Sequence, residues 1–349
     1  MKHKPSVLDL AEADLAAFAE EHGEKPYRAR QVLAWVYRKG ADDFQQMTDL
    51  PASFRSALAD AFQVHSLSLA RKQRSRIDSS VKLGLAAREG HLVEAVIMPQ
   101  LKHVTVCVSS QVGCAFGCIF CASGAGGLTR NLTSGEIVDQ VLWAAKHAPE
   151  GRKVTNVVFM GMGEPLANYE NTLAAARTLN RLAGIGFRRM AISTCGLVPA
   201  MERLAAEGLQ IHLAVSLHAP DDATRKHLMP KSARWRVKEI VEAAKQYVEA
   251  TGRKVSFEYV LIKGLNDSPQ AAERLAGLLR GCRCMVNLIA FNENPFAKGL
   301  RAPSEADVRR FAGALSKRGV ETAVRRSYGQ DISAACGQLA ARGPAAWRT

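Results

Sequence analysis

The sequence lacks both a long apolar run and a recognisable leader. No apolar stretch reaches the roughly 18 residues that a membrane-spanning helix needs. Residues 1–11 contain charged side chains and no apolar core of the kind that secretory leaders have. We therefore expect a cytoplasmic protein whose thiols stay reduced. Eight cysteines in such a compartment indicate metal or catalytic chemistry before disulfides.

Acidic residues are scarce relative to basic ones. The 349 residues include 47 Lys and Arg against 33 Asp and Glu, a net charge of +14. Residues 1–80 have 12 basic and 11 acidic side chains, so +13 of that charge falls on residues 81–349. This excess predicts a polyanionic partner, either nucleic acid or an acidic membrane surface, with a merely solvated basic surface as the alternative.

The remaining composition is that of a folded protein, with 47% hydrophobic and 23% charged residues, which excludes a disordered or collagen-like chain. Residues 28–37 have the apolar spacing of a helix, and Pro51 begins a second helical stretch. We therefore expect a small helical N-terminal domain over residues 1–80. The basic run at residues 71–76 is interpreted as a solvated linker, with contact to phosphates as the alternative.

Over residues 90–349, six short β-rich runs alternate with longer helical patterns. Strands are predicted at 104–109, 154–160, 190–194, 211–217, 255–262 and 285–291, with helices near 134–148, 168–183, 198–207, 237–250, 269–280 and 304–318. This alternation predicts an α/β fold with a parallel sheet. A full eightfold barrel needs about 250 residues, so six units favour a partial, open (β/α)6 barrel over residues 90–349. A doubly wound sheet is the alternative.

Three cysteines lie close together directly after the first predicted strand. Cys114, Cys118 and Cys121 are spaced Cys-x3-Cys-x2-Cys, in a loop that also contains two glycines. A structural zinc site normally has four ligands, and no fourth stands nearby. An iron–sulfur cluster held by three cysteines leaves one iron open to a substrate or cofactor.

This spacing, with an aromatic residue just before the last cysteine, resembles the radical S-adenosylmethionine (radical SAM) superfamily. The resemblance implies a [4Fe–4S] cluster whose open iron chelates SAM, and a 5′-deoxyadenosyl radical formed when SAM is split. Zinc or simply buried thiols are the alternatives.

Polar residues recur where other predicted strands end, which is where α/β barrels gather their chemistry. Glu164 follows the second strand in a Gly-Met-Gly-Glu-Pro turn, and its carboxylate could bind the ammonium group of SAM. The other strand-end residues are Ser193, Ser216, Leu217, His218 and Asn292. Each alone suits a structural role, but their shared position favours a common site.

Longer motifs resemble the RlmN/Cfr family of radical SAM methyltransferases, which act on an adenine of RNA. They surround Cys107, Glu164, Ser216 and Cys336, and the resemblance runs from about residue 27 to residue 339. It implies that Cys114, Cys118 and Cys121 hold the cluster and that Gly163, Glu164, Ser193, Ser216, Leu217, His218 and Asn292 line the SAM site. It also implies that Cys336 carries the methyl group, that Cys107 is its resolving partner, and that Glu94 is a catalytic acid or base.

The family chemistry follows from the target, since C2 and C8 of adenine are too weakly nucleophilic for direct methyl transfer. The resemblance implies that Cys336 accepts a methyl group from one SAM and that a second SAM supplies the radical, so two are used per turnover. The methyl carbon then joins Cys336 to the base, and a transient disulfide with Cys107 releases the product. Glu94 or Cys107 would accept the ring proton.

The implied partners are 23S rRNA (adenosine 2503) and tRNA (adenosine 37), an electron donor such as flavodoxin or ferredoxin, and a thiol reductant, with no membrane. The helical domain would recognise RNA shape. Pro165 favours C2 methylation, as in RlmN, whereas Tyr328 stands where Cfr has an aromatic residue, so C8 methylation is the alternative. A non-enzymatic RNA-binding protein with a structural metal is the more distant one.

Overall fold

Three helices form most of the N-terminal part of the chain in a computed structural model, which describes residues 4–232 and 234–340. They are α1 (Glu12–Glu21), α2 (Arg28–Ala34) and α3 (Ala52–Ala61). The predicted helical stretches are confirmed, since α2 continues through a wider turn to Lys39 and Pro51 lies just before α3. The outermost parts of the predicted domains, residues 1–3 and 341–349, lie outside the described residues.

A ten-stranded sheet follows, together with a separate two-stranded hairpin, within the described residues. The first strands are β1 (Ser68–Arg74), β2 (Val81–Ala86), β3 (Leu92–Pro99) and β4 (Val104–Cys107), and the hairpin is β5 (Gln111–Gly113) and β6 (Leu128–Asn131). The later strands are β7 (Asn156–Phe159), β8 (Met190–Thr194), β9 (His212–Ser216), β10 (Val255–Leu261), β11 (Cys284–Ala290) and β12 (Thr322–Val324).

The strand order β4-β7-β8-β9-β10-β11-β12 follows the chain, and all of these strands are parallel. The six predicted strands are β4 and β7 to β11, and the prediction of a partial, open barrel is confirmed. The doubly wound alternative is wrong, because it requires a reversal of strand order that this sheet lacks.

Helices connect the parallel strands and pack against the core. They are α4 (Ser134–His147), α5 (Tyr169–Arg181), α6 (Val198–Ala206), α7 (Asp222–Leu228), α8 (Val237–Thr251), α9 (Pro269–Leu278) and α10 (Glu305–Ser316). Residues 255–257 and 259–261 of β10 are buried, as expected for a parallel strand covered on both faces. None of the helices in the described residues combines the length and apolar character needed to cross a membrane.

The sheet is extended at one edge by three antiparallel strands that the sequence did not predict. The interpretation of residues 71–76 as a linker is wrong, because Arg71–Arg74 lie in β1 and pair with β2. The side chains of β1 alternate between exposed and half-buried, so this edge strand has no apolar run by which to recognise it.

The helical N-terminal part packs directly on the barrel, and the hydrophobic core runs from Val7 to Leu315 without interruption. His65 bridges the two parts, with Nδ1 2.6 Å from an Asp139 oxygen on α4 and Nε2 2.8 Å from an Asp42 oxygen. The buried Asp139 carboxylate also accepts the Leu67 N–H at 2.7 Å.

Candidate active site

The loop with the three closely spaced cysteines is folded tightly between β5 and β6. Cys114 N–H donates to the Gly127 carbonyl at 2.9 Å, closing the base of the loop. Gly113 has φ of +78°, and a Cβ there would lie 2.0 Å from the Gly127 oxygen, so only glycine fits. Further along, a Cβ on Gly124 would lie 2.9 Å from the Gly117 Cα. These close approaches curl the loop so that Cys114, Cys118 and Cys121 line one cavity.

The three thiols suit a thiolate-binding centre. Burial raises the pKa of Cys114 to about 12 and that of Cys118 well above its usual value, and the charges of the neighbouring cysteines raise both further. A centre that binds thiolates would offset this penalty. Among the described residues, no group of three or more His, Cys, Asp or Glu is arranged to hold a single metal ion. Three sulfur donors on one cavity wall fit the predicted cluster.

Glu164 lines the same cavity as this loop, lies in the turn after β7, and is only 4% exposed. One carboxylate oxygen accepts the Leu166 N–H at 3.0 Å and the other accepts the Cys195 N–H at 2.6 Å. Burial raises its pKa, while these hydrogen bonds act in the opposite direction. Gly163 has φ of +99°, and a Cβ there would lie 2.6 Å from the Gln111 Cβ. The carboxylate is therefore held at a defined place in the cavity wall.

The ends of β8 and β9 supply the next part of the wall. Ser193 and Ser216 line the cavity, with their hydroxyl oxygens 3.4 Å apart. His218 also lines it and packs edge-on against Phe120, with ring centroids 4.9 Å apart. Leu217 is fully buried between them and is absent from the residues that line the cavity.

Asn292, just beyond β11, connects the cavity to the C-terminal part of the chain. Its Nδ2 donates to the Cys336 carbonyl at 3.1 Å, and its Oδ1 accepts a hydrogen bond from Gln330 at 2.7 Å. Cys336 is exposed and lines the same cavity as the three loop cysteines. The structure thus brings together residues that are more than 200 positions apart in the sequence.

Comparisons with known proteins match both parts of the chain. Residues 108–276 match the radical SAM superfamily, and residues 6–64 match the ribosomal RNA large subunit methyltransferase N-terminal domain. The dual-specificity RNA methyltransferase RlmN of Anaeromyxobacter dehalogenans is 46% identical over 347 residues, covering 97% of this chain and 92% of that protein. The crystal structure of a radical SAM methyltransferase from Sphaerobacter thermophilus matches with a TM-score of 0.94 at 47% identity, over 97% of this chain and 100% of that one.

The chain belongs to the RlmN family. It is a radical SAM RNA methyltransferase, and the resemblance seen in its motifs is confirmed. Membership of the radical SAM superfamily implies a [4Fe–4S] cluster and SAM. The alternative of a non-enzymatic RNA-binding protein is therefore set aside.

Two residues to which the RlmN family resemblance gave catalytic roles are absent from the residues that line the cavity. Cys107, at the end of β4, is 8% exposed and packs with Ile332, Ala334 and Leu339 around Cys336. Burial raises its pKa, and the nearby Cys336 raises it further. Glu94 on β3 is 2% exposed, and one of its oxygens accepts the Ala340 N–H at 2.9 Å. Both residues thus contact residues 332–340, the stretch of chain that contains Cys336.

The structure also identifies two polar residues in this RlmN family site that the sequence did not single out. Glu258 on β10 lines the cavity, where its Oε1 accepts hydrogen bonds from Ser256 and Asn287, each at 2.8 Å. The sequence did contain one signal for Glu258, because it is a single glutamate within an otherwise apolar strand. Arg225 on α7 is fully buried and donates to the carbonyls of Ser216, Leu217 and Cys195. Its neighbours in sequence are polar and basic, so nothing there distinguished it.

Proposed function

We propose that this enzyme methylates C2 of adenine in 23S rRNA, at adenosine 2503, and in tRNA, at adenosine 37. The observation that carries the proposal is the single cavity shared by the three loop cysteines and Cys336, with Cys107 packed against residues 332–339, which flank Cys336. A methyl-carrying thiol must reach both the cofactor and the base, and Cys336 is exposed at such a point. Relatives named dual-specificity RNA methyltransferases support the proposal of two RNA substrates for one enzyme.

In the proposed site Cys114, Cys118 and Cys121 hold the cluster, and Gly163, Glu164, Ser193, Ser216, Leu217, His218 and Asn292 surround SAM. With both bound, the site would have a methyl donor and, after one-electron reduction by a donor such as flavodoxin or ferredoxin, a 5′-deoxyadenosyl radical. The Glu164 carboxylate faces the cavity as an acceptor for an ammonium group. Leu217 acts from behind the cavity wall, because its side chain is fully buried and does not line the cavity.

The proposed role of Cys336 is covalent, and two SAM are consumed in each turnover. Its thiol loses a proton, and its sulfur forms a bond to the methyl carbon of the first SAM as the bond from that carbon to the SAM sulfur breaks and S-adenosylhomocysteine leaves. After the methyl group has given one hydrogen atom to the 5′-deoxyadenosyl radical that the second SAM would supply, its carbon bonds to the adenine, so that Cys336 holds the RNA. The adduct then loses the ring proton, to Glu94 or Cys107, and one electron, for which the cluster, if held by the three loop cysteines, would be the acceptor.

Cys107 releases the product. Its thiolate attacks the Cys336 sulfur, so an S–S bond forms while the S–C bond breaks, and the departing carbon takes up a proton to become the methyl group. A dithiol reductant then returns both cysteines to thiols as its own sulfurs become a disulfide. The packing of Cys107 against the Cys336 segment supports this pairing.

We further propose that the helical N-terminal domain, residues 1–80, recognises RNA shape while the basic barrel domain, residues 90–349, binds phosphates in the cytoplasm. The match of residues 6–64 to a ribosomal RNA methyltransferase domain supports the first part. The net charge of +13 on residues 81–349 supports the second. Phosphate binding of this kind weakens steeply with salt, so RNA affinity should fall as the salt concentration rises.

The test is nucleoside mass spectrometry of RNA from a strain that lacks the enzyme, after treatment with purified protein. The wild-type enzyme should form 2-methyladenosine, and Cys336→Ala should form none. Cys107→Ala should accumulate a covalent protein–RNA adduct, whereas the matched control Cys282→Ala should behave like wild type. Formation of 8-methyladenosine would transfer the assignment to C8, and methylation by Cys336→Ala would refute the covalent role of that cysteine.

A further inference from the structure

The antiparallel strands β1 to β3 contact the part of the chain that contains Cys336. We call residues 329–340 the Cys336 segment. At its start, the Gly329 N–H donates to an Asp78 oxygen at 2.7 Å, and Asp331 accepts the Arg76 N–H at 2.9 Å. Both partners lie in the turn between β1 and β2. The turn between β1 and β2 therefore binds the beginning of the Cys336 segment, just before the segment reaches the active site.

A buried ion pair lies under the rest of the segment. Lys82 on β2 and Glu94 on β3 are each 2% exposed, and Lys82 Nζ is 3.7 Å from a Glu94 oxygen. Glu94 lies opposite Gly84 in the β2–β3 register, so Lys82 is its diagonal neighbour.

Each member of the pair holds one end of the stretch around Cys336. Lys82 Nζ donates to the Ser333 carbonyl at 3.4 Å, and Glu94 accepts the Ala340 N–H at 2.9 Å. Cys336 lies midway between these two attachment points. Both contacts are to backbone atoms, so they set the course of the chain and are independent of the side chains at residues 333 and 340.

The segment also contacts the cysteine loop. The Ala122 N–H donates to the Gly337 carbonyl at 2.8 Å, and the Ser123 hydroxyl donates to the Leu339 carbonyl at 2.6 Å. Hydrogen bonds thus hold the segment to both the cysteine loop and the buried ion pair. A shift of the pair would move Cys336 relative to both Cys107 and the cavity.

Stability alone is a poor explanation for this pair. Removing two charges from water is costly, and replacing a buried ion pair by apolar side chains is often neutral or stabilising. We propose that Lys82 is a positioning residue, which together with Glu94 fixes the Cys336 segment so that Cys336 reaches both the cavity and Cys107. The inference rests on the proposed function of those two cysteines, and it gives the sheet extension a role in the reaction.

The experiment measures how fast Cys107 and Cys336 form a disulfide in the unliganded full-length enzyme. Diamide is the oxidant, since it takes up the two hydrogen atoms that the thiols lose as the S–S bond forms. Alkylation and peptide mass spectrometry quantify the product. Lys82→Met should slow the reaction by about tenfold or more, because small displacements of reacting groups have large effects on rate. The exposed Lys72→Met on β1 is the matched control and should react like wild type.

Two further measurements separate positioning from folding. Iron content and the KM for RNA should stay within about twofold of wild type in Lys82→Met, while kcat for methylation falls with the disulfide rate. Lys82→Met leaves Glu94 buried without its partner and therefore risks unfolding. The double variant Lys82→Met/Glu94→Leu removes both charges, so neither is left buried without its partner.

Slow disulfide formation in Lys82→Met or in the double variant, with iron retained, would support the inference. A wild-type rate in either folded variant would overturn it, and so would loss of kcat with no change in that rate. The thiol reaction requires no RNA, so it judges the position of Cys336 even if the proposed RNA reaction fails. Absence of methylated nucleoside with the wild-type enzyme would instead refute the proposed function.

Discussion

His218 accepts a hydrogen bond from the backbone N–H of Val260 at its Nδ1 atom, over 3.0 Å. Burial lowers the pKa of this histidine to about 3, with the nearby Arg225 charge acting in the same direction, so the ring is neutral at physiological pH. A neutral imidazole with Nδ1 as an acceptor carries its proton on Nε2. His218 therefore lines the cavity as a neutral ring with its proton on Nε2.

Two substitutions at His218 separate the structural role of this residue from its proposed role in SAM binding. The residue has φ of +57°, which asparagine tolerates, and the side-chain oxygen of asparagine can replace Nδ1 as acceptor. His218→Ala should be less stable than His218→Asn by about 1–3 kcal/mol, because it leaves the Val260 N–H buried and unpaired. Both variants should bind SAM less tightly. Urea unfolding and equilibrium dialysis measure the two effects, and equal stability of the variants would contradict this account.

Arg225 should tolerate no replacement, including lysine. Its guanidinium donates to three backbone carbonyls at the ends of β8 and β9, and a single ammonium group cannot reproduce that geometry. Each carbonyl left without a partner costs about 1–3 kcal/mol, so Arg225→Met should lose at least ~3 kcal/mol of unfolding free energy. Arg225→Lys should lose part of this, and both should bind SAM weakly. Arg309→Met, on the exposed face of α10, is the control that should change little in urea unfolding.

Gly163→Ala should lower the free energy of unfolding more than the same substitution at Gly184, a glycine of similar backbone conformation in an open turn. Gly163→Ala would bring a Cβ to 2.6 Å from the Gln111 Cβ, whereas Gly184, with φ of +71°, has no atom within 4 Å of that position. Backbone strain of about 1–2 kcal/mol applies to both, and overpacking adds about 1–3 kcal/mol at Gly163. Urea unfolding of the two variants measures the difference, and equal losses would show that the Gln111 side can relax.

His212 should make stability depend on pH. Burial and the neighbouring Arg253, Arg325 and Lys254 lower its pKa from 6.5 to about 4. Below pH 6.5 the His212 side chain is protonated in the unfolded chain but stays neutral in the folded protein. The stability that comes from the lowered pKa of His212 is therefore lost as the pH falls towards 4. At pH 5 the loss is about 2 kcal/mol.

The measurement for His212 compares wild type with His212→Gln by urea unfolding at pH 7 and pH 5. The difference in their unfolding free energies should shift by about 2 kcal/mol in favour of the variant at the lower pH. The comparison isolates this group, because buried carboxylates such as Glu164, whose pKa is raised, contribute in the opposite direction in both proteins. A constant difference between the two proteins would contradict the prediction.

The sequence was sufficient to predict the six parallel strands, because each is a short apolar run that a helical pattern separates from the next. It was also sufficient to group Glu164, Ser193, Ser216 and His218, because parallel strands end at the same edge of a sheet. The structure places these residues along one cavity. Leu217 shares the motif but is buried, since adjacent residues at a strand end point in opposite directions.

The antiparallel extension escaped sequence reasoning for an equally physical reason. An edge strand that faces solvent needs no apolar face, so β1 has the composition of a basic linker. Lys82 lies in a short run that gives no sign of a buried charge, because its partner is twelve residues away on another strand. Arg225 likewise has only polar and basic neighbours in sequence, although it is fully buried.

By itself, the sequence determined the barrel, the cysteine loop and the family, since these depend on local periodicity and on fixed spacing within short motifs. Only the tertiary structure decided that Cys107, Glu94 and Lys82 lie beneath the segment containing Cys336. Contacts between residues some 230–250 positions apart depend on how the sheet curls and on where the chain returns. Sequence spacing carries no record of that geometry.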